Sequence, residues 1–329
     1  MKMRNNLMTS ILCGIAFNAL IAGVSYAQWP ERPVNLIVVA GAGGGSDYTM
    51  RLLARGLEAN TRQPFNVINQ AQGGGIVGYT TYTSAAPDGY TLGQLSPFAQ
   101  FKVLGQANFT SENFTPIALI NVDPAAIHVA TKSKFESLGD IIRAMKADPA
   151  SLRISCGGTC SASWDIPFVS LMLAEGVDVS KINLIPAQGS AAGLQELVSG
   201  GIDVVLCSIP ETDALADAGL VKTVGVLAHE RLAKYPNVPT AEEVTGKAVS
   251  GGTWRGVAGP AGMDPTLISV INEQIHKAYE SEGFLGGMKN RGFGTKYLGS
   301  KDFAAFIKQH ELQTQQVMTA LGFGAKPGK

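Results

Sequence analysis

Four short segments rich in glycine and serine are the residues best suited to chemistry in this sequence. They are residues 41–47, 71–75, 157–163 and 187–190. Each follows an apolar run typical of a buried strand and precedes a helical pattern. In open α/β sheets such loops lie at the carboxyl ends of strands, where helix starts present unpaired N–H groups and a partial positive charge.

Glycine lets a bound anion approach the backbone closely, and hydroxyl groups add hydrogen-bond donors. The hydroxyls in these segments belong to Ser46, Thr159, Ser161 and Ser190. Together the four segments predict an anion-binding cleft that needs no arginine or lysine side chain.

A dinucleotide site is the main alternative, because residues 41–46 follow a strand and open a helix. The third glycine of that fingerprint is replaced by Ser46, and Asn69-Gln70 stand where an acidic residue would hold the ribose. No phosphate-binding lysine follows the glycines, which excludes a P-loop. We therefore expect no nucleotide cofactor.

The sequence offers no catalytic constellation. Its four histidines are scattered without metal-ligand spacing, and no Gly-x-Ser-x-Gly elbow occurs. Cys156 and Cys160 are separated by three residues, which is not the redox spacing. We expect no catalytic residue, no metal site and no cofactor.

Alternating strands and helices indicate an α/β fold with mainly parallel sheets. Strands are predicted at residues 34–40, 65–69, 90–95, 126–130, 152–155, 182–185, 203–207, 221–228 and 253–259. A chain of 329 residues suggests two domains. No low-complexity linker marks a boundary, which favours a discontinuous first domain.

The first 27 residues have the pattern of a cleaved signal peptide, with a basic start, an apolar run and a small-residue cleavage site before Gln28. Its removal would lower the net charge from zero to −2. No basic run supplies a nucleic-acid surface. In an oxidising compartment, Cys156 could pair with Cys160, either could pair with Cys207, or all three could remain buried thiols.

From Trp29 onward the chain resembles the substrate-binding proteins of tripartite tricarboxylate transporters, the Bug family. The matching segments are WPERPVNLIVVAGAGGGSD (29–47), AAPDGYTL (85–92), SLGDIIRAMKADP (137–149), QGSAAGLQELVSGGIDV (188–204), YPNVPTAEE (235–243) and WRGVAGPAGM (254–263).

The resemblance implies a periplasmic-binding-protein (Venus flytrap) fold. We expect a first lobe of residues 28–125 and 253–329 and a second lobe of residues 126–252. It also implies a soluble, monomeric periplasmic protein that holds a carboxylate in the cleft and delivers it to a two-subunit membrane permease. The implied binding residues are Ala42, Gly43, Gly44, Gly45, Ser46, Asp47, Ser96, Pro97, Thr159, Cys160, Ser161, Ala162, Ala187, Gln188, Gly189, Ser190 and Asp203.

Ala187-Gln188 stand where the family usually has Tyr-Lys. This departure leaves the ligand open between a di- or tricarboxylate and an aromatic carboxylate. Two other functions stay open as well: an exported sensor partner of a membrane kinase, and an exported enzyme that uses the same cleft.

Overall fold

The computed structural model of this protein describes residues 29–323. The predicted signal peptide therefore lies outside the described residues. Within them, the strands form two separate sheets.

The first sheet has six strands in the order β11-β4-β10-β3-β1-β2. They are β1 (Val34–Val38), β2 (Phe65–Asn69), β3 (Thr91–Leu95), β4 (Phe114–Pro124), β10 (Gly252–Pro260) and β11 (Leu298–Gly299). The helices of this part are α1 (Gly45–Thr61), α2 (Ile76–Thr83), α3 (Ala99–Val103), α9 (Pro265–Glu280), α10 (Glu282–Arg291) and α11 (Ser300–Ala320). Short 3₁₀ helices occupy Gln72–Gly75 and Ser111–Asn113.

The second sheet has five strands in the order β7-β6-β8-β5-β9. They are β5 (Ala126–Ala130), β6 (Arg153–Ser155), β7 (Asn183–Ile185), β8 (Val204–Cys207) and β9 (Val221–Val226). Its helices are α4 (Leu138–Ala147), α5 (Asp165–Ala174), α6 (Ser190–Ser199), α7 (Asp213–Asp217) and α8 (Ala241–Thr245). Short 3₁₀ helices occupy Val179–Lys181 and Ile209–Thr212.

Each sheet has its own hydrophobic core. Two buried clusters belong to the second sheet: a large one that includes Ile127, Phe168 and Leu206, and a small one that includes Ala126 and Val226. Two clusters lie on the first sheet: one contains Leu36, Leu53 and Ile271, and the other is rich in aromatic side chains. Separate cores are what two lobes able to move as units require.

The chain crosses between the sheets where β4 leads into β5 and where residues 249–251 lead into β10. The crossing segments bind one another. Ala125 N–H donates to Gly251 O at 2.8 Å, Gly251 N–H to Leu227 O at 3.1 Å, and Leu227 N–H to Ala125 O at 2.7 Å.

Both sheets are mixed, so parallel pairing is less widespread than the repeating pattern predicts. It joins β1 to β2 and β3, and β6 to β7 and β8. Strands β4, β5 and β10, which flank the crossings, pair antiparallel with their neighbours. A strand that enters a sheet directly from the other lobe has no crossover helix to make it parallel.

Candidate functional site

A cavity of about 100 Å³ lies between the two lobes, at the loops that follow their parallel strands. All four glycine-rich segments contribute to its wall, as Gly44, Gly74, Thr159 and Ser190 illustrate. This is the position where open α/β folds bind ligands.

Eleven of the seventeen predicted site residues line this cavity, and six do not. The eleven are Gly44, Gly45, Ser46, Ser96, Pro97, Thr159, Ala162, Ala187, Gln188, Gly189 and Ser190. The six that do not line it are Ala42, Gly43, Asp47, Cys160, Ser161 and Asp203.

The start of α1 binds a carboxylate that comes from the opposite lobe. The backbone N–H of Gly45 donates to Glu211 Oε1 at 2.7 Å, and the Ser190 hydroxyl donates to the same oxygen at 2.5 Å. The other oxygen of Glu211 accepts from the N–H and the hydroxyl of Ser208. The donor set predicted to hold an anion therefore already holds one, supplied by the protein itself.

Arg255 lies at the floor of the cavity and is only 2% exposed. Its Nη1 donates to Asp123 Oδ2 at 2.6 Å and to Asn121 Oδ1 at 2.5 Å. Its Nη2 lies 3.9 Å from Glu211 Oε1, which is beyond hydrogen-bond distance. The prediction of a cleft without a cationic side chain is therefore wrong, because this guanidinium lies beside the helix starts.

Burial by itself would raise the pKa of Glu211. The charge of Arg255 and hydrogen bonds from Ser190, Gly45 and Ser208 outweigh this effect and hold the pKa below its ordinary value. Glu211 is therefore ionised at neutral pH.

Ser46 links Arg255 to the cavity. Its hydroxyl oxygen accepts from Arg255 Nε at 3.1 Å and from Gln94 Nε2 at 3.0 Å. Because a hydroxyl has two acceptor positions and one donor, these two bonds leave the Ser46 proton free to be donated elsewhere. The carbonyl oxygen of the Gln94 side chain is buried without a hydrogen-bond partner.

The start of α5 binds a carboxylate of its own. Asp165 accepts from the N–H groups of Ser161 at 2.5 Å and Ala162 at 2.9 Å. Burial raises the pKa of Asp165 to about 6, although these backbone hydrogen bonds oppose the shift. Gly43 likewise donates to Asp47 at 3.0 Å. The N–H groups of Gly43, Ser161 and Ala162 are thus partnered within their own loops.

Asp203 requires a correction, because it lies away from the cleft. It stands just before β8, at the opposite end of the strand from the cavity. Its carboxylate binds Arg153 through Nε at 3.0 Å and Nη2 at 2.9 Å, and both side chains are partly exposed. We therefore remove Asp203 from the candidate site.

The lobes touch directly across the cleft. Gly41 N–H donates to Gln188 O at 3.0 Å, and Thr159 Oγ1 donates to Gly74 O at 2.8 Å. Gly74 has φ +67°, and a Cβ there would overlap the Thr159 hydroxyl. Glycine at this position thus permits both the left-handed backbone and the close approach of the lobes.

A family model described as "Tripartite tricarboxylate transporter family receptor" matches residues 49–323. The chain belongs to this receptor family. It is therefore a substrate-binding protein and not an enzyme.

Among curated proteins, BugT of Bordetella pertussis is 28% identical to this receptor over 290 residues, which cover 84% of this chain and 86% of BugT. Among solved structures, the periplasmic binding protein BugD superposes with a TM-score of 0.80 at 23% identity, covering 90% of this chain and 99% of BugD. MatC from Rhodopseudomonas palustris, solved with bound malate, superposes with a TM-score of 0.79 at 22% identity, covering 88% of this chain and 99% of MatC. These likenesses confirm the two-lobed periplasmic-binding-protein fold.

Two further observations describe the receptor. Within residues 29–323, no helix is long and apolar enough to cross a membrane. Cys156 and Cys160 form a disulfide in the loop after β6, and Cys207 is a buried free thiol. Cys160 is thus part of a bridge that shapes the loop, and it does not contact the cavity.

Sequence reasoning missed the two charged residues of the receptor's cleft, Glu211 and Arg255. The sequence nevertheless contains a local feature that points to each of them. Arg255 interrupts the apolar strand GTWRGVAGP, and a buried arginine requires an anionic partner. Glu211 ends a Ser-x-x-Glu capping box with Ser208. Neither signal identifies the partner, because the two residues are 44 positions apart and belong to different lobes.

Proposed function

We propose that this receptor captures a small carboxylate between its lobes in the periplasm and delivers it to a two-subunit membrane permease. In this proposal it acts as a soluble monomer. Its lobes are residues 28–125 with 253–329, and 126–252, as the sequence predicts. The malate bound to MatC, a protein of the same fold, supports a carboxylate ligand.

The observation that carries the proposal is the position of Arg255 Nη2. Arg255 lines the cavity, and its Nη2 is beyond hydrogen-bond distance of Glu211, while its Nη1 and Nε are engaged by Asp123, Asn121 and Ser46. A ligand carboxylate would accept from Nη2 and from the Ser46 hydroxyl. Charge-assisted hydrogen bonds of this kind are the strongest that a carboxylate makes with side chains.

Opening of the lobes completes the site. Glu211 and Ser190 belong to the second lobe and Gly45 to the first, so separation breaks the bond between Gly45 and Glu211 but keeps that between Ser190 and Glu211. The Gly45 N–H is then available to the ligand. On closure the ligand carboxylate takes the place of Glu211 at the start of α1.

The proposed binding residues are the eleven predicted ones that line the cavity, together with Arg255 and Gln94, while Glu211 is the protein's own carboxylate that the ligand displaces. A closing motion of this type is common in binding proteins.

A thermal-shift screen followed by calorimetry tests the proposal. The screen contains mono-, di- and tricarboxylates, aromatic acids, and matched neutral amides. We expect at least one carboxylate to raise the melting temperature, with a gain of about 2.7 kcal/mol at about 100 times its dissociation constant. The matched amide should give no shift. If sugars or cations stabilise the protein and no carboxylate does, the proposal fails.

Delivery is tested separately by uptake of the bound compound into cells that carry the permease, with and without this receptor. Uptake that is independent of the receptor would contradict the transport role and leave carboxylate binding intact.

A further inference from the structure

A second and larger cavity adjoins the cleft on the side of the lobe crossings. Its volume is about 620 Å³, against about 100 Å³ for the cleft cavity. Cavities of about 300–1,000 Å³ are typical of small-molecule sites. The smaller cavity has about one sixth of the volume of the larger one, which therefore offers more room for the part of a ligand beyond its carboxylate head.

The larger cavity is lined mainly by apolar side chains from both lobes. Ile166 and Pro167 of α5 and Leu227 lie on the second-lobe side, and Trp254 of β10 with Phe306 and Val317 of α11 lies on the first-lobe side. No lysine or arginine of residues 29–323 lines it. Burial lowers the pKa of His310, which also lines it, to about 4, so that imidazole is neutral at neutral pH. The acidic side chains of Asp123 and Glu230 and several hydroxyl and amide groups also line it, so the cavity suits an uncharged tail better than a second carboxylate.

The two cavities share one wall. Pro97 and Gln100 from the first lobe, Ala162 and Ser163 from the second, and Thr253 at the crossing line both of them. The wall is joined across the lobes by a hydrogen bond from Thr253 Oγ1 to Ser163 Oγ at 3.2 Å. Because its two halves belong to different lobes, the wall parts when the cleft opens.

From these observations we infer that the ligand is an amphipathic monocarboxylate. Its head binds at Arg255 and the start of α1, and its aliphatic or aromatic tail passes between Ser163 and Thr253 into the larger cavity. This inference rests on the proposed function and narrows it to one class of carboxylate. A compact or doubly charged acid would leave the larger cavity empty or would place an unpaired charge in it.

Calorimetry with acetate, butyrate, hexanoate, octanoate and 3-phenylpropionate tests the inference. Burial of a methylene contributes about 0.8 kcal/mol, so each added methylene should tighten binding by about fourfold until the cavity is filled. Succinate and citrate should bind more weakly than hexanoate. Hexanamide, which has a similar tail and no charge, should not bind.

Two variants fill the tail cavity without touching the head cavity. Ser170→Phe on α5 and Val317→Phe on α11 replace residues that line only the larger cavity. Each has a control on the same helix: Leu173→Phe and Leu312→Phe change side chains that are 46% and 59% exposed. Octanoate affinity should fall at least tenfold in the filling variants and stay within twofold of wild type in the controls, while acetate affinity is unchanged in all four.

The outcomes distinguish failure of this inference from failure of the proposed carboxylate binding. If succinate or citrate binds best and chain length has no effect, the amphipathic class is overturned and carboxylate binding stands. Unchanged octanoate affinity in both filling variants also overturns it. If no carboxylate of any length binds, the proposed function itself has failed.

Discussion

Two helix starts face the same cleft, and each already holds a carboxylate from a different source. At the start of α5, Asp165 binds the N–H groups of Ser161 and Ala162 a few residues before it. At the start of α1, the carboxylate belongs to Glu211, which lies 166 positions from Gly45 in the other lobe. The first arrangement is local and persists when the lobes part, whereas the second exists only when they meet.

This difference identifies which helix start a ligand can use. Helix starts attract anions through unpaired N–H groups. A local cap satisfies those groups in both the open and the closed state, so the start of α5 has a structural role and is not open to a ligand. The start of α1 loses its partner when the cleft opens, and it lies beside Arg255. The comparison therefore supports the proposal that the ligand binds at the start of α1.

The largest expected effect concerns the charges that support the start of α1. Arg255→Met removes the guanidinium and leaves Asp123 and Glu211 buried without their counter-ion. Breaking a buried ion pair costs about 3–5 kcal/mol. We expect the free energy of unfolding in urea to fall by that amount and carboxylate binding to be lost.

A matched control is Arg153→Met, which breaks the exposed pair with Asp203. Exposed pairs contribute about 0–1 kcal/mol, so this variant should stay close to wild type. Equal losses in the two variants would mean that the buried ion pair of Arg255 contributes no more to stability than an exposed one.

The next effect concerns the start of α5 and depends on pH. Burial raises the pKa of Asp165 to about 6 in the folded protein, above the ordinary 3.8. The stability linked to this shift is present below about pH 3.8 and is lost as the pH rises through 6. At about 1.36 kcal/mol per unit, the loss approaches 3 kcal/mol.

Asp165→Asn cannot ionise and should lack this dependence. The difference in the free energy of unfolding between wild type and variant, measured in urea between pH 3 and 7, should decline by about 3 kcal/mol as the pH rises. A difference that is flat with pH would show that Asp165 titrates normally. Carboxylate affinity at a fixed pH should change less in this variant than in any variant of Glu211.

A smaller effect is expected from Glu211, whose carboxylate competes with the ligand for the N–H group of Gly45. Glu211→Gln keeps the shape of the side chain and removes the charge that a ligand carboxylate must displace from Gly45. We expect carboxylate affinity to rise about tenfold, which corresponds to about 1.4 kcal/mol. Glu242→Gln, at an exposed position on α8, provides the control. Weaker binding in Glu211→Gln would show that Glu211 assists the ligand instead of competing with it.

The smallest effect tests the corrected residue. Asp203→Asn weakens only an exposed ion pair, so the free energy of unfolding should change by less than about 1 kcal/mol. Calorimetry should give the wild-type affinity for the bound carboxylate. A tenfold loss would return Asp203 to the site.

Local patterns predicted most of the fold. The strands at residues 65–69 and 126–130 agree with the structure in full, and others agree to within two residues at each end. Strand β4, the longest in the first sheet, was not predicted. Its sequence FTPIALINVDP contains Pro116, Asn121, Asp123 and Pro124, which break the apolar run that indicates a buried strand.

The site was predictable in its backbone and in the hydroxyl groups of its glycine-rich loops. Glycine-rich loops before helices are local signals, and most of the residues they nominated line the cleft. Its charges were not predictable, because Asp123, Glu211 and Arg255 come from three distant segments that meet only in the folded chain. Asp203 was carried over from the family resemblance, and the sequence alone does not show that it lies at the end of β8 away from the cavity.

The bonds among Ala125, Leu227 and Gly251 have a mechanical consequence. These bonds join the three backbone segments at the lobe crossings in a closed ring. We expect the ring to resist sliding of one segment past another and still to permit bending between the lobes. The lobes should thus swing about these crossings, and a pair of fluorescent labels, one on each lobe, should report a smaller separation when the carboxylate is bound than when it is absent.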